Sequence, residues 1–280
     1  MSHTCNVTRL EHVDSTMKYT NDNRLGGDSP LALGHANWPW VLSLLFLLCV
    51  FTISLSPIAE AYEVADIQDG VSIQGKVHLG NSKPLVKRFP IFKDHDICGK
   101  GHRDIPLVQV NDEGLLDTVV YLVNISKGKP FRSGSKKITI NQLGCRFIPH
   151  LSVMANGGEI EVINSDATLH NIHTYELVGA NHFSNFSVSQ PQRGDIVTKE
   201  VTVRRGMGMR VTCDAHNFMR GFVFLARNPY YAIVDSEGMF SIDDVPPGTY
   251  VVRTWHGTLG ERTRTITVEP DSVGKVDFYY

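Results

Sequence analysis

One short loop of this chain carries three metal-binding side chains, and their spacing constrains the fold more than any other feature. Cys213, His216 and Met219 stand at Cys-x-x-His-x-x-Met spacing, which is short enough for a single loop to close around one ion. His170 lies 43 residues earlier, in the segment Leu-His-Asn-Ile-His. One thiolate, two imidazoles and a weak axial thioether form the ligand set of a type 1 copper centre. We therefore expect one copper ion bound by these four residues, and a fold that brings a distant strand against the loop.

Other interpretations of the same loop are weaker. Cys-x-x-His alone also fits half of a structural zinc site, but zinc would favour a second cysteine or histidine where Met219 stands. A cysteine nucleophile with a histidine base would need an orienting acid, and Asp214 is the only evident candidate. An enzymatic metal site would need an open coordination position, which Met219 as axial ligand would close. The pattern therefore favours a binding protein over an enzyme.

The histidines outside the ligand set are expected to have other roles. Strand alternation places His173 on the face opposite to the first motif histidine, which favours a surface or supporting position over a ligand. His150 could cap the site or bind a further metal, although a solvated position at a strand start is favoured. His95 and His102 flank Cys98, so a second metal site there is conceivable if Cys98 is not in a disulfide. An exposed polar loop is the preferred interpretation.

The first 61 residues are predicted to be a leader. Residues 29–59 carry no charged side chain and are most apolar at residues 40–55, a run that either spans a membrane or directs export, and an A-x-A pattern ending at Ala61 fits signal-peptide cleavage. The leader is long and its basic residues are offset by acidic ones, so an uncleaved membrane anchor, or a true start at Met17, stays open. In each case the acidic flank after the run places residues 62–280 outside the cytoplasm. We expect a periplasmic or otherwise extracytoplasmic protein.

Three cysteines follow the leader, and an odd number is informative in an oxidising compartment. An unpaired thiol there is a liability unless it is reactive or binds a metal. Pairing Cys98 with Cys145 would leave Cys213 for the metal, whereas two buried free cysteines is the alternative. Closing the loop of 47 residues would stabilise the fold by about 4 kcal/mol on the chain-entropy model.

Beyond the leader the sequence predicts strands and almost no helix. β-Branched and aromatic residues dominate, and Gly, Asn, Asp and Pro interrupt them at short intervals. The formal net charge of −2 gives no polycationic surface, so we expect no nucleic-acid partner. Around the metal motif the predicted strands cover residues 159–163, 168–175, 183–188, 196–203, 207–212 and 221–226. This is a sandwich pattern, with the candidate ligands at strand ends and in a connecting loop.

The last fifty residues carry a second recognisable motif. Residues 238–250, Gly-Met-Phe-Ser-Ile-Asp-Asp-Val-Pro-Pro-Gly-Thr-Tyr, resemble the carboxypeptidase regulatory-like, or transthyretin-like, domain family. The resemblance covers roughly residues 229–280, and the strand near residues 71–77 is a further candidate member. It implies a small β-domain that serves as a scaffold or adhesion module, and it is nearly silent on function.

The metal motif resembles the small cupredoxins, above all amicyanin and more loosely pseudoazurin and plastocyanin. The matching features are His-Asn-Ile-His at residues 170–173 and Cys-x-x-His-x-x-Met-Arg-Gly at residues 213–221, within a region of about residues 150–226. Asn171 matches the family residue whose side chain bridges to the cysteine loop and keeps the ligands in place. The resemblance implies these ligand roles: His170 as the upstream imidazole, Cys213 as the thiolate, His216 as the second and more exposed imidazole, and Met219 as the axial ligand.

Together these features predict an all-β protein in four parts. They are a leader with a signal peptide or anchor helix (residues 1–61), an N-terminal β segment (62–148), a cupredoxin-like Greek-key sandwich (149–228) and a smaller transthyretin-like β-sandwich (229–280). The order of Cys98, Cys145, the Cys213 loop and a Pro-Pro-Gly domain resembles that of exported bacterial proteins often labelled methylamine utilisation proteins.

The expected function is single-electron transfer with a redox partner protein. Electrons would leave through the edge of His216 if an apolar patch surrounds it. Periplasmic copper storage, delivery or sensing is the alternative. Contact with a membrane is expected only through the N-terminal segment, if that segment is not cleaved.

Overall fold

Short runs of alternating apolar and polar residues build the structure almost entirely from β-strands. The computed structural model describes residues 62–280, so the predicted signal peptide or anchor helix lies outside the described residues. None of the described helices is long and apolar enough to cross a membrane.

The elements of the N-terminal half of the described chain are, in order, β1 (Glu63–Val64), β2 (Val71–His78), β3 (Leu85–Pro90), α1 (His95–Cys98), β4 (His102–Val108), β5 (Val110–Asn111), β6 (Gly114–Leu115), β7 (Thr118–Leu122), β8 (Lys127–Gly128), β9 (Lys137–Gln142), β10 (Phe147–Ile148), β11 (Leu151–Ala155) and β12 (Gly158–Asn164). Those of the C-terminal half are β13 (His170–Val178), β14 (Asn181–Gln190), β15 (Ile196–Val201), β16 (Gly208–Thr212), β17 (Arg220–Ala226), β18 (Tyr231–Ile233), β19 (Met239–Val245), β20 (Gly248–His256), β21 (Gly260–Val268), β22 (Val273–Lys275) and β23 (Phe278–Tyr279). The strands predicted around the metal motif are confirmed, with ends shifted by a few residues.

Two sheets enclose the core behind the metal motif. One has the strand order β10-β9-β12-β15 and the other β11-β17-β16-β13-β14. Alternation in β12 explains the burial, because Ile160 and Val162 point into the core while Glu159 and Glu161 stay partly exposed. Strands β13 and β16 are antiparallel neighbours with Thr212 opposite His173, so the beginning of β13 lies beside the residues that follow β16. This register brings the two halves of the motif together.

A second pair of sheets has its own core. Its strand orders are β18-β7-β20-β21 and β19-β2-β6-β5, with β22 and β23 also pairing with β2. The core joins early residues such as Ile73 and Leu122 to late residues such as Val252 and Phe278. Residues 229–280 therefore fold together with strands from residues 71–122, because β2 and β7 supply the pairing partners of β19 and β20.

A close contact joins the outer face of β17 to β20. Trp255 packs against Phe222 and Phe224, at centroid distances of 5.9 and 5.7 Å. Gly208 permits this approach, since a Cβ there would lie 2.0 Å from Cζ2 of Trp255. Any side chain at residue 208 would push the tryptophan away from β16.

The segment from β3 to β4 covers one end of the sandwich that carries the metal motif. Strands β3 and β4 form a separate two-stranded ribbon, and α1 lies between them in the chain. Phe89, Ile91 and Cys98 from this segment are buried in the same core as Cys213 and Met219. We call residues 91–101 the cap.

Candidate metal centre

Three of the four predicted ligands converge on one buried point. His170 is the first residue of β13, Cys213 directly follows β16, and His216 lies in the loop before β17. The Nδ1 atoms of the two histidines are 3.1 Å apart, and the Cys213 Sγ lies 3.9 Å from Nδ1 of His170 and 3.7 Å from Nδ1 of His216. A single ion can touch two ligand atoms only if they lie within about 4.0–4.6 Å of each other, twice a typical metal–ligand bond. All three separations satisfy this limit.

Met219, the fourth predicted ligand, lies in the same loop and the same core. Its side chain is buried in the cluster that contains Cys213, and its backbone N–H donates to the His216 carbonyl at 2.9 Å. That bond closes a tight turn from His216 to Met219. The axial role of the thioether stays a prediction.

Each imidazole is hydrogen-bonded to a carboxylate through Nε2, on the side away from the other ligand atoms. The Nε2 of His170 lies 2.9 Å from Oδ2 of Asp166, and the Nε2 of His216 lies 2.8 Å from Oδ2 of Asp94. Burial by itself would raise the pKa of both carboxyl groups. The pKa of Asp166 is nevertheless lowered by hydrogen bonds from the Cys145 N–H and His170, and that of Asp94 by hydrogen bonds from His216 and Thr168. Both carboxyl groups are therefore ionised at neutral pH and accept the imidazole N–H.

This arrangement fixes the tautomer of both rings. Burial lowers the pKa of His216, which favours its neutral imidazole form. A neutral imidazole that donates from Nε2 to a carboxylate presents an unprotonated Nδ1 on its other side. The Nδ1 atoms of His170 and His216 face each other at 3.1 Å inside the protein. Either a shared proton or a metal ion can lie between two such nitrogens, so the donor set fits a metal ion.

The soft character of the remaining donor favours copper over a hard cation. Cys213 is buried, and burial raises the pKa of its thiol even though the N–H groups of Asn171, His216 and Ala215 favour the thiolate. A bound metal would displace the thiol proton. Thiolate and thioether donors with two imidazoles match copper rather than magnesium or calcium.

Asn171 bridges to the cysteine loop, as the resemblance implies, and this prediction is confirmed. Its Oδ1 accepts the Asp214 N–H at 2.6 Å, and its Nδ2 donates to Oδ2 of Asp214 at 2.7 Å. Its own backbone N–H points at the Cys213 Sγ at 3.5 Å. Asn171 therefore ties β13 to the loop in the position that holds His170 and Cys213 together.

The expectation of a more exposed second imidazole is wrong. His216 is 2% exposed and His170 is 0% exposed. The cap is the physical reason, because Asp94 from this upstream segment covers the Nε2 edge that would otherwise face solvent. The edge of His216 is thus closed by protein.

A disulfide between Cys98 and Cys145 fastens the cap, which confirms the predicted pairing. Cys213 is the free cysteine of the described residues. Arg103 strengthens this attachment, since its guanidinium donates to the carbonyls of Cys98, Gly144 and Cys145. The same guanidinium lies 5.0 Å from the centroid of the Phe218 ring in the metal loop. Cap, disulfide and metal loop are therefore one connected structure.

The other histidines lie away from the ligand atoms. His173 contacts Asp214 through Nδ1 at 3.1 Å and Ser184 through Nε2 at 3.0 Å, as a supporting residue would. His150 contacts Asp117 at 3.0 Å. His95 and His102 are exposed, as predicted, but they begin α1 and β4 rather than lying in a loop.

Sequence reasoning missed both carboxylates and Arg103. Asp166 had a usable signal, because it lies four residues before His170 in the turn that leads into β13. The sequence carries no signal for Asp94, because this residue is 122 positions away from the histidine that it contacts.

No family model matches the chain, and no curated protein matches it. Several solved structures are weakly similar. A Cu-containing nitrite reductase (NirK) from Thermus scotoductus SA-01 has 17% identity and a TM-score of 0.26, covering 37% of this chain and 24% of its own. A purple cupredoxin from Nitrosopumilus maritimus has 17% identity and a TM-score of 0.27, covering 31% of this chain and 98% of its own. Amicyanin from Paracoccus versutus has 13% identity and a TM-score of 0.26, covering 32% and 81%. Because these scores are low, the copper assignment depends on the donor geometry.

Proposed function

We propose that this protein binds one copper ion through His170, Cys213, His216 and Met219 as a type 1 centre and transfers single electrons. The observation that carries the proposal is the convergence of two Nδ1 atoms and one Sγ, all buried, with both Nε2 atoms held by carboxylates. Copper, when bound, would supply a one-electron couple between Cu(I) and Cu(II).

The role of the surrounding residues is to hold the ligands still. Asp166 and Asp94 fix the tautomer and orientation of the two rings, and Asn171 fixes the loop that carries the thiol. Ligands that do not move between oxidation states keep reorganisation small. We propose no catalytic role, because Met219 as axial ligand would leave no open coordination position.

Exposed apolar side chains near the centre support contact with a redox partner. Phe92, Leu143 and Leu169 are 79%, 46% and 43% exposed. They lie within two residues of Asp94, Cys145 and His170, respectively, on three segments that meet at the centre. Three exposed apolar side chains of this kind suit brief docking of a partner protein outside the cytoplasm.

Copper storage, delivery or sensing is the second candidate, and the burial of His216 favours it. A closed imidazole edge removes the short electron path that the sequence predicts and shields the metal from solvent. Storage and delivery need no such path, whereas electron transfer must use one through the cap or along the Cys213 loop.

Voltammetry of the copper-loaded protein, together with copper exchange to a chelator, separates the two candidates. Electron transfer predicts a reversible one-electron wave and slow loss of copper to excess chelator. Storage or delivery predicts no reversible wave and ready copper transfer. The second outcome would overturn the electron-transfer proposal.

A further inference from the structure

The Cys98–Cys145 disulfide lies directly against the metal centre. Ligand atoms of Cys98, Cys145 and His216 all lie within 4.8 Å of one another, and so do those of Cys145, Asp166 and His170. The cysteine and histidine side chains are at most 2% exposed. A disulfide that only closed the chain would have no need to contact both imidazoles.

Hydrogen bonds connect the disulfide to both halves of the centre. Asp166 accepts the N–H groups of Gly144 and Cys145 at 2.8 Å and also contacts Nε2 of His170. On the other side, Cys98 ends the short helix that follows Asp94, the residue in contact with His216. The positions of the two sulfur atoms are therefore fixed relative to the imidazoles.

A cavity borders one cysteine of the disulfide. A cavity of about 350 Å³ is lined by Cys145 and Met219 at one part and by the exposed residues Asp104 and Arg146 at another. This volume suits a molecule the size of a simple dithiol.

We propose that the reduced Cys98–Cys145 pair is a second copper site, selective for Cu(I), with the two thiolates as its ligands. A dithiol reductant gives two electrons and two protons to the pair, so the S–S bond breaks, two thiols form and the dithiol becomes a disulfide. Binding of Cu(I) then displaces the two thiol protons to solvent. Two thiolates are a soft donor set that prefers Cu(I) over harder cations. In the oxidised state the sulfur atoms are bonded to each other and the site is closed.

This inference rests on the proposed function only in the choice of metal, and it gives the protein a copper capacity that depends on redox state. The test uses the full chain with Cys213→Ser, which removes the thiolate of the first site and leaves the disulfide intact. The protein is prepared oxidised or reduced with a dithiol, freed of reductant without air, and mixed with Cu(I) and a strong Cu(I) chelator.

The reduced variant should retain about one equivalent of Cu(I) with two sulfur ligands by X-ray absorption, and the oxidised variant less than about a tenth of an equivalent. Adding Cys98→Ser and Cys145→Ser should abolish retention in both states. Equal retention by the oxidised and reduced Cys213→Ser protein would overturn the proposal.

If that variant does not fold, the natural chain gives the same answer, because reduction should raise its Cu(I) capacity by about one equivalent. No increase would overturn the second site. The proposed function is tested separately, in the oxidised natural protein loaded with Cu(II). Cys98 and Cys145 cannot be thiolate ligands in that state, so copper binding there reports on the first site alone.

Discussion

The two imidazoles of the metal centre are held by the same kind of bond, yet their partners come from very different parts of the chain. His170 contacts Asp166, four residues earlier, and both side chains are at most 4% exposed. His216 contacts Asp94, 122 residues earlier, whose side chain is 29% exposed. The first half of the centre is thus built locally within the sandwich, whereas the second half depends on a separate cap.

The difference explains how each histidine of the site is oriented. A turn and the strand that follows it bring Asp166 to His170, and the N–H groups of Gly144 and Cys145 hold the Asp166 carboxylate in place. His216 keeps its orientation only while the cap, fastened by Cys98 and by Arg103, stays in place. We therefore expect substitutions to affect the two halves unequally.

The largest effect is expected for Asp166→Asn. Asp166 accepts three hydrogen bonds, and an amide cannot replace all three because its NH₂ group donates. The free energy of unfolding should fall by about 1–3 kcal/mol, and copper affinity should fall by about 100-fold. Urea denaturation and chelator competition measure these two quantities. Unchanged copper affinity would show that this carboxylate does not orient His170.

A smaller effect is expected for Asp94→Asn. The amide oxygen can still accept from Nε2 of His216, and solvent near this partly exposed side chain can satisfy the NH₂ group. Copper affinity should fall by about tenfold, with stability within about 0.5 kcal/mol of the natural protein. Asp96→Asn, an exposed acid on the same short helix, is the matched control and should change neither quantity. A loss as large as that of Asp166→Asn would remove the distinction between the halves.

The pH dependence of copper binding tests the protonation states in both halves. Burial raises the pKa of the Cys213 thiol and lowers the pKa of His216, so near neutrality the thiol is protonated and the imidazole is neutral. Copper then displaces one proton, and affinity should fall about tenfold for each pH unit of acidification between about pH 8 and 6. Affinity measured by chelator competition across this range gives the slope. A slope of about two protons would contradict this account, because a second ligand would then also lose a proton when copper binds.

The smallest effect is expected for His173→Gln. His173 lies on the side of β13 away from the ligand atoms and contacts Asp214 and Ser184. Copper affinity should stay within about twofold of the natural value, as for a substitution outside the site. If chelator competition instead shows a hundredfold loss, His173 must be a ligand and the assignment of His170 must be revised.

The same contrast explains what the sequence could predict. His170, Asn171 and the Cys213 loop were predictable because each belongs to a short motif whose spacing reflects one strand end and one loop. Strands such as β2 and β12 were predictable because alternation along a half-buried strand appears directly in the residues. Asp94 was not, since contact between the cap and His216 arises only from tertiary packing. The strand near residues 71–77 was a predicted partner of the C-terminal strands, whereas β7 was missed, because strand pairing over more than a hundred residues leaves no local pattern.

The central claim is that Cys213 gives a thiolate ligand to copper beside His170 and His216, and the optical spectrum of the Cu(II)-loaded protein tests it most directly. The account predicts an intense thiolate-to-copper band near about 600 nm in the natural protein and its loss in Cys213→Ser. Absence of the band from the natural protein with copper bound, or its persistence in Cys213→Ser, would contradict the account.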